Sequence, residues 1–199
     1  MSVELVKQVS STNRGGIAFD IGANHGVYTG EMLPFYSKVY AFEPHPDNIA
    51  IIKNRLFDVG NRLEIVPMAV SDMSGDCKLY LHVSQGQYSI SEDVANCKRW
   101  GHNPDNWIRV PCITIDDFCE QNNVIPNFIK MDIEGAENYV WCGALHTLYH
   151  HDVKIVLELH HEVNLNKLEK WFNALDYYGH EPFEYDKNIL ITKRAKNDQ

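Results

Sequence analysis

Ile17-Ala18-Phe19-Asp20-Ile21-Gly22-Ala23-Asn24-His25-Gly26 decides the reading of this chain. A short apolar run ends on an acid and then breaks into a turn with glycines at 22 and 26. Glycine lets backbone approach closely and adopt positive φ, and a helix starting after the turn presents free N–H groups. Residues 27–33 supply that helical pattern. The same alternation repeats outward. Val39-Tyr40-Ala41-Phe42 ends at Glu43-Pro44, residues 63–70 read as a third strand, Phe128-Ile129-Lys130-Met131 ends at Asp132, and residues 153–159 are rich in branched side chains. Short, nearly continuous apolar runs of this kind fit parallel strands buried on both faces.

Helical patterns fall between the strands. Asp47 reads as an N-cap for a helix carrying Ile49, Ile52 and Leu56. Residues 136–148 place Val140, Ala144 and Leu148 on one stripe, and Leu165, Leu168, Phe172 and Leu175 form another. Near the end, residues 182–185 and 189–192 read as a hairpin joined by Asp186-Lys187-Asn188. Strand-helix alternation implies a doubly wound α/β fold with right-handed crossovers. The 199 residues suffice for a single domain spanning 1–199. Residues 84–107 break the rhythm: they are polar, contain Gly86, Gly101 and Pro104, and intersperse Tyr88, Trp100 and Trp107. A lid or acceptor-binding insertion is the expectation there.

Composition narrows the partners. Hydrophobic residues make up 44% and charged residues 23%, and the formal net charge is -9. An acidic surface repels phosphate backbones, which argues against nucleic acid and for a small or neutral acceptor. The basic cluster Lys193-Arg194-Ala195-Lys196 reads as a solvated end. No apolar run is long enough for a membrane span, and residues 1–13 lack the apolar core of a signal peptide, so a soluble, cytoplasmic protein is expected. The five cysteines, Cys77, Cys97, Cys112, Cys119 and Cys142, form no C-x-x-C pair. Reduced thiols, with no disulfide framework or zinc site, follow.

Ligands of open parallel sheets bind beyond the carboxyl ends of the strands. A dinucleotide fingerprint would read G-x-G-x-x-G. Gly22-Ala23-Asn24-His25-Gly26 lacks the middle glycine that lets pyrophosphate approach, and Asp20 at the strand end suits a cation better than a phosphate. S-adenosylmethionine has that chemistry: an ammonium, a sulfonium and no phosphate. Glu43, one βα unit later, is placed to accept hydrogen bonds from both ribose hydroxyls. Ser71 and Asp72, after Ala69-Val70, could flank an adenine ring or begin a turn. Asp132 would point into the cleft facing the glycine loop. The expected cofactor set is Asp20, Gly22, Ala23, Asn24, Gly26, Glu43, Ser71, Asp72 and Asp132. Glu134 and Glu137 fall at the start of the next helix, where carboxylates favour the helix dipole.

These residues carry a family resemblance. Phe19-Asp20-Ile21-Gly22-Ala23-Asn24-His25-Gly26, Tyr40-Ala41-Phe42-Glu43-Pro44-His45-Pro46, Ala69-Val70-Ser71-Asp72, Ile113-Thr114-Ile115-Asp116-Asp117-Phe118, Ile129-Lys130-Met131-Asp132-Ile133-Glu134-Gly135-Ala136-Glu137 and Glu158-Leu159-His160 occur in the order and spacing of FkbM-type methyltransferases, which the chain resembles. The resemblance implies a Rossmann-like methyltransferase fold: a mostly parallel seven-stranded sheet with an antiparallel edge strand and helices on both faces. It also implies methyl transfer, usually to a hydroxyl oxygen on sugars or other natural products. Residues 84–107 have no match to the family pattern.

Transfer to a hydroxyl needs a base. Asp132, Glu158, His160, His161 and His25 are the candidates, and His160 comes first because histidine titrates near neutral pH. The expected catalytic set is His160, Asp132 and Glu158, working without a metal. The alternative use of the same three side chains is to hold a divalent metal. Two other functions compete. Base-methylating enzymes typically carry N/D-P-P-Y/F after the fourth strand, where this chain has Asp132-Ile133-Glu134-Gly135. A Rossmann-like module that binds S-adenosylmethionine without catalysis is the second.

Overall fold

The apolar runs assemble into one sheet in the computed structural model, which describes residues 2–82, 88–92, 96, 104–160, 165–179 and 188–194. The strands are β1 (Ile17–Ile21), β2 (Lys38–Phe42), β3 (Leu63–Val66), β4 (Ala69–Val70), β5 (Gly75–Tyr80), β6 (Trp107–Ile113), β7 (Phe128–Met131), β8 (Lys154–Glu158), β9 (Tyr177–Gly179) and β10 (Asn188–Lys193). The helices are α1 (Ser2–Thr12), α2 (Val27–Met32), α3 (Pro46–Arg55), α4 (Ile115–Asn122), α5 (Glu137–Val140), α6 (Leu145–His150) and α7 (Leu165–Ala174). Seven strands run in the order β3-β2-β1-β7-β8-β10-β9. The pairs β3–β2, β2–β1, β1–β7 and β7–β8 are parallel, and β10 is antiparallel to both neighbours at that edge of the sheet.

Alternation along the strands explains the two cores. Successive side chains point to opposite faces. Ala18, Val39, Phe128 and Val156 pack with Leu5, Val6 and Val9 of α1 and with Met32 and Tyr36. Phe19, Tyr40, Phe42 and Ile129 face the other way, onto Phe118, Val140, Trp141, Leu148 and Phe172. The Phe118 ring lies 5.5, 5.2 and 4.8 Å from the rings of Phe19, Tyr40 and Phe42, all edge-to-face. Helix α1 carries no strong sequence signal and owes its place to this packing. Among the described residues no helix is long and apolar enough to cross a membrane.

Four elements depart from the sequence reading. Residues 63–70 are not one strand: β3 ends at Val66, and after Pro67, which has no N–H to donate to a ladder, β4 joins a separate three-stranded sheet, β4-β6-β5. The cap of α3 is His45 rather than Asp47. The His45 ring accepts the Asp47 N–H at 3.3 Å, and Pro46 at the first helical position starts the helix two residues earlier. Residues 136–148 form two short helices separated by a 3₁₀ turn at Cys142–Ala144, although the stripe Val140, Ala144 and Leu148 is buried as expected. The strand paired with β10 on its outer side begins at Tyr177, and the expected strand at 182–185 lies outside the described residues.

Gly143 accounts for the break in that helical stretch. A Cβ there would stand 2.4 Å from the Ser71 carbonyl oxygen and 2.9 Å from the Thr114 Cβ. The 3₁₀ turn lets the backbone pass beneath the second sheet at a distance no side chain permits. Gly143→Ala should therefore destabilise the protein by about 1–3 kcal/mol, the usual cost of overpacking. Urea unfolding measures this, and an unchanged midpoint would contradict the close approach.

Candidate active site

The glycine loop meets the end of β7 backbone to backbone. The Asp132 N–H donates to the Ile21 carbonyl at 3.0 Å, and the Gly22 and Ala23 N–H groups donate to the Phe42 carbonyl at 3.1 and 3.0 Å. Gly22 has φ 79°, and a Cβ on it would fall 1.9 Å from the Asp132 carbonyl oxygen. Asn24 also has positive φ, 49°. Its N–H donates to Glu43 Oε2 at 2.8 Å, while the His45 N–H donates to Glu43 Oε1 at 2.8 Å. One carboxylate thus ties the first loop to the start of α3.

A pocket opens where these ends converge. Its polar wall is Gly22, Asn24, Glu43, Asn48, Asp132 and Glu134, and its apolar wall includes Phe42, Met68, Ala69, Val70, Leu79, Tyr88 and Ile90. Tyr88 and Ile90 come from residues 84–107, and Tyr88 stacks on His45 with ring centroids 4.3 Å apart. Among the described residues, no lysine or arginine lines the pocket. Burial raises the Glu43 carboxyl to about 7, against the pull of its amide donors.

Beyond this slot lies a carboxylate cluster. Lys130 is fully buried, 3.8 Å from both Asp132 Oδ2 and Glu158 Oε2, and its Nζ lies 4.5 Å from the centre of the Tyr28 ring. The His160 Nδ1 is 2.7 Å from Glu137 Oε1, and its Nε2 is 3.3 Å from Glu134 Oε2 and 3.6 Å from Asp132 Oδ1. Burial works to lower the His160 pKa, but the Glu137 hydrogen bond and the charges of Glu137, Glu134 and Asp132 raise it to about 9. Burial raises Glu134 to about 7, with the His160 charge pulling it down and the other acids pushing it up.

The structure brings Asp132, Glu158 and His160 together, with ligand atoms within 4.8 Å of one another. A metal there would share both carboxylates with the Lys130 ammonium. Among the expected cofactor residues, Gly22, Asn24, Glu43 and Asp132 line the pocket. Asp20 lies beneath it, fully buried: Thr29 Oγ1 donates to its Oδ2 at 2.5 Å, and Oδ1 has no partner among the described residues. Ala23 packs on Ala41 and Ile52, and Gly26, at φ 74°, caps α2. Ser71 and Asp72 stand just past the wall, which Met68, Ala69 and Val70 form instead. His25 is off the wall, with its carbonyl accepting from Arg55, and His161 lies outside the described residues.

The sequence gives no role to Lys130 and reads both Glu134 and Glu137 as helix-start acids, whereas the structure gathers all three in the cluster and brings Tyr88 of the expected acceptor-binding insertion to the pocket wall. Glu134 precedes α5 in a turn at φ 52°, a conformation that Gly135 at φ 88° continues. The neighbouring Glu134-Gly135 pair was the legible hint of a turn there.

Four of these groups fix a pH dependence. Asp20, raised by burial to about 6, Glu43 and Glu134, both at about 7, and His160, at about 9, each keep a proton to higher pH when folded than when unfolded. Their stabilising contribution is present below the unfolded pKa values and is lost as pH rises through the folded ones. Thermal unfolding of the ligand-free protein should show Tm falling from about pH 5 to about pH 9, and Asp20→Asn should flatten the part below about pH 7. A Tm that rises over that range would contradict these assignments.

Comparisons place this geometry. No curated protein matches the chain. Methyltransferase FkbM from Methylobacillus flagellatus KT is 21% identical with a TM-score of 0.59, the alignment covering 89% of this chain and 43% of that one. A Streptococcus mutans protein solved in complex with SAH is 10% identical, TM-score 0.56, with 98% of both chains covered. An rRNA methylase from Streptococcus thermophilus is 13% identical, TM-score 0.51, with 96% of this chain and 92% of that one covered. At these identities the likeness is one of fold: Rossmann-like, with a mostly parallel seven-stranded sheet. The chain spans less than half the length of the Methylobacillus protein. Residues 20–181 match the methyltransferase FkbM domain, and the chain belongs to that family.

Proposed function

We propose that this chain transfers the methyl group of S-adenosylmethionine to a hydroxyl oxygen of a sugar or another small natural product. The make-up of the pocket carries this reading. A slot between Phe42, Met68, Val70 and Leu79 suits adenine, and Glu43 at its rim suits the ribose hydroxyls. Asp132 suits the cationic end, and among the described residues a pyrophosphate would find acids and no lysine or arginine on the wall. Gly22, Asn24, Glu43 and Asp132 would hold the cofactor, with Asp20, Ala23 and Gly26 shaping the loop from behind. Bound there, S-adenosylmethionine supplies an electrophilic methyl carbon, whose bond to sulfur breaks with the electron pair left on sulfur.

The chain's own tasks are alignment, exclusion of water and removal of the hydroxyl proton. Glu134 lines the pocket and is ionised above about pH 7, whereas His160 keeps its proton to about pH 9. Of these two, Glu134 is therefore the one placed to take the proton. His160 is its positive partner, and Asp132 and Glu158 complete the acidic surround. The acids also repel a phosphate backbone, which favours a small acceptor over RNA.

Labelled S-adenosylmethionine offered to pools of mono- and oligosaccharides and small hydroxylated natural products should yield a labelled acceptor, with turnover insensitive to chelators. Transfer only to RNA would replace this reading. Calorimetry should show S-adenosylhomocysteine binding, weakened by Glu43→Ala about tenfold or more, the worth of a charge-assisted hydrogen bond. No binding by the unmodified protein would remove the methyl-donor assignment.

A further inference from the structure

Glu137 is a carboxylate with no exposure to solvent, placed in the first turn of a four-residue helix. Burying such a charge is costly unless it is paired and hydrogen-bonded. A helix-start role accounts for little of it: the nearest amide contact, from Gly135 N–H, is 3.4 Å. Its short contact is to His160 Nδ1 at 2.7 Å, from the end of β8 across to α5. Because Nδ1 is bound from behind, the ring can turn only one edge toward the pocket. That edge carries Nε2, 3.3 Å from Glu134 Oε2 and 3.6 Å from Asp132 Oδ1.

We propose that Glu137 is the positioning residue of the site, fixing His160 with its Nδ1–H toward the buried carboxylate and its Nε2 edge toward Glu134 at the pocket wall. The proposal rests on the methyl-transfer reading for its catalytic meaning. A neutral, freely turning imidazole would leave Glu134 among Asp132, Glu158 and Glu137, with Lys130 as the other positive charge in the group, 3.8 Å from Asp132 and Glu158. Crowded like charges push a carboxyl toward its protonated form. The fixed imidazolium opposes this, in line with the lowering that His160 exerts on Glu134. In turnover the acceptor's hydroxyl proton passes to a Glu134 oxygen, the electron pair of that O–H bond stays on the acceptor oxygen to form the new bond to carbon, and the proton then leaves to water. Glu137 touches neither proton nor acceptor.

The test reads His160 directly and needs no acceptor. In protein carrying labelled histidine, the His160 ring signals are identified by their loss in His160→Asn. In the unmodified protein His160 should titrate near 9 and show a slowly exchanging Nδ1 proton. Glu137→Gln should lower that titration by about one pH unit or more. It should also shift the acid limb of any pH–rate profile upward while leaving S-adenosylhomocysteine affinity within about twofold. If Glu137→Gln does not fold, Glu137→Asp keeps the charge but withdraws the oxygens, and the slow Nδ1 proton should vanish. Unchanged His160 titration in Glu137→Gln, or a retained Nδ1 proton in Glu137→Asp, would overturn the proposal. These outcomes are separate from the cofactor assignment, which S-adenosylhomocysteine calorimetry on the unmodified protein decides.

Discussion

Everything at the working end of the sheet depends on the contact between Gly22 and the Asp132 carbonyl. Two strands that are neighbours in space but more than a hundred residues apart in sequence end side by side, and the chain leaving the first must pass over the second. There is room for backbone and none for a Cβ. The positive φ of Gly22 turns the chain back so that its N–H reaches the Phe42 carbonyl, which brings Asn24 onto Glu43. Glycine here serves strand-to-strand contact first and ligand approach second. The pocket is a by-product of how closely three strand ends can be drawn together.

Charge is the second organising factor. Asp20, Asp132, Glu134, Glu137 and Glu158 gather around Lys130 and His160, an excess of acid over base in a partly dry environment. Two devices make this tolerable. Lys130 is held between strand ends beside Tyr28, within reach of two carboxylates, and Asp20 and Glu134 hold protons to higher pH than they would in water. Breaking a buried ion pair on one side costs about 3–5 kcal/mol, so the network is stiff. A stiff acidic bowl is preorganised for a cationic guest, since the protein, rather than the guest, has already met the cost of holding its carboxylates close.

The sheet was legible because buried parallel strands write themselves as apolar runs, and because strand ends carry the residues that break them: Asp20-Ile21-Gly22, Glu43-Pro44, Asp132. Glu43 and Asp132 follow from that rule taken together with the glycine loop, and both line the pocket. What escaped was set by contacts without local periodicity. Strands β5 and β6 alternate weakly, and their sheet is defined by each other. The cap at His45 depended on a proline that allowed the helix to start early. Asp20 sits at the right strand end but is inward in the pleat, so its neighbour is Thr29 and not the pocket. Glu134 and Glu137 look alike in sequence, three residues apart. A left-handed turn between them sends one to the pocket wall and the other into the interior.

The hairpin of β5 and β6 is clasped near its open end by the Tyr80–Ser89 bridge and by the Leu81 N–H to Asn106 carbonyl bond. The chain between those clasps includes Tyr88 and Ile90 of the pocket wall. Loop-closure entropy grows only with the logarithm of length, about 0.6 kcal/mol for each doubling. A change in the length of the chain inside the clasps thus adds little closure cost, while a single methyl group at Gly22 meets the Asp132 carbonyl. The half of the pocket that ties the strand ends is held by sterics, whereas the half facing it hangs on a span whose length the fold can change at little cost.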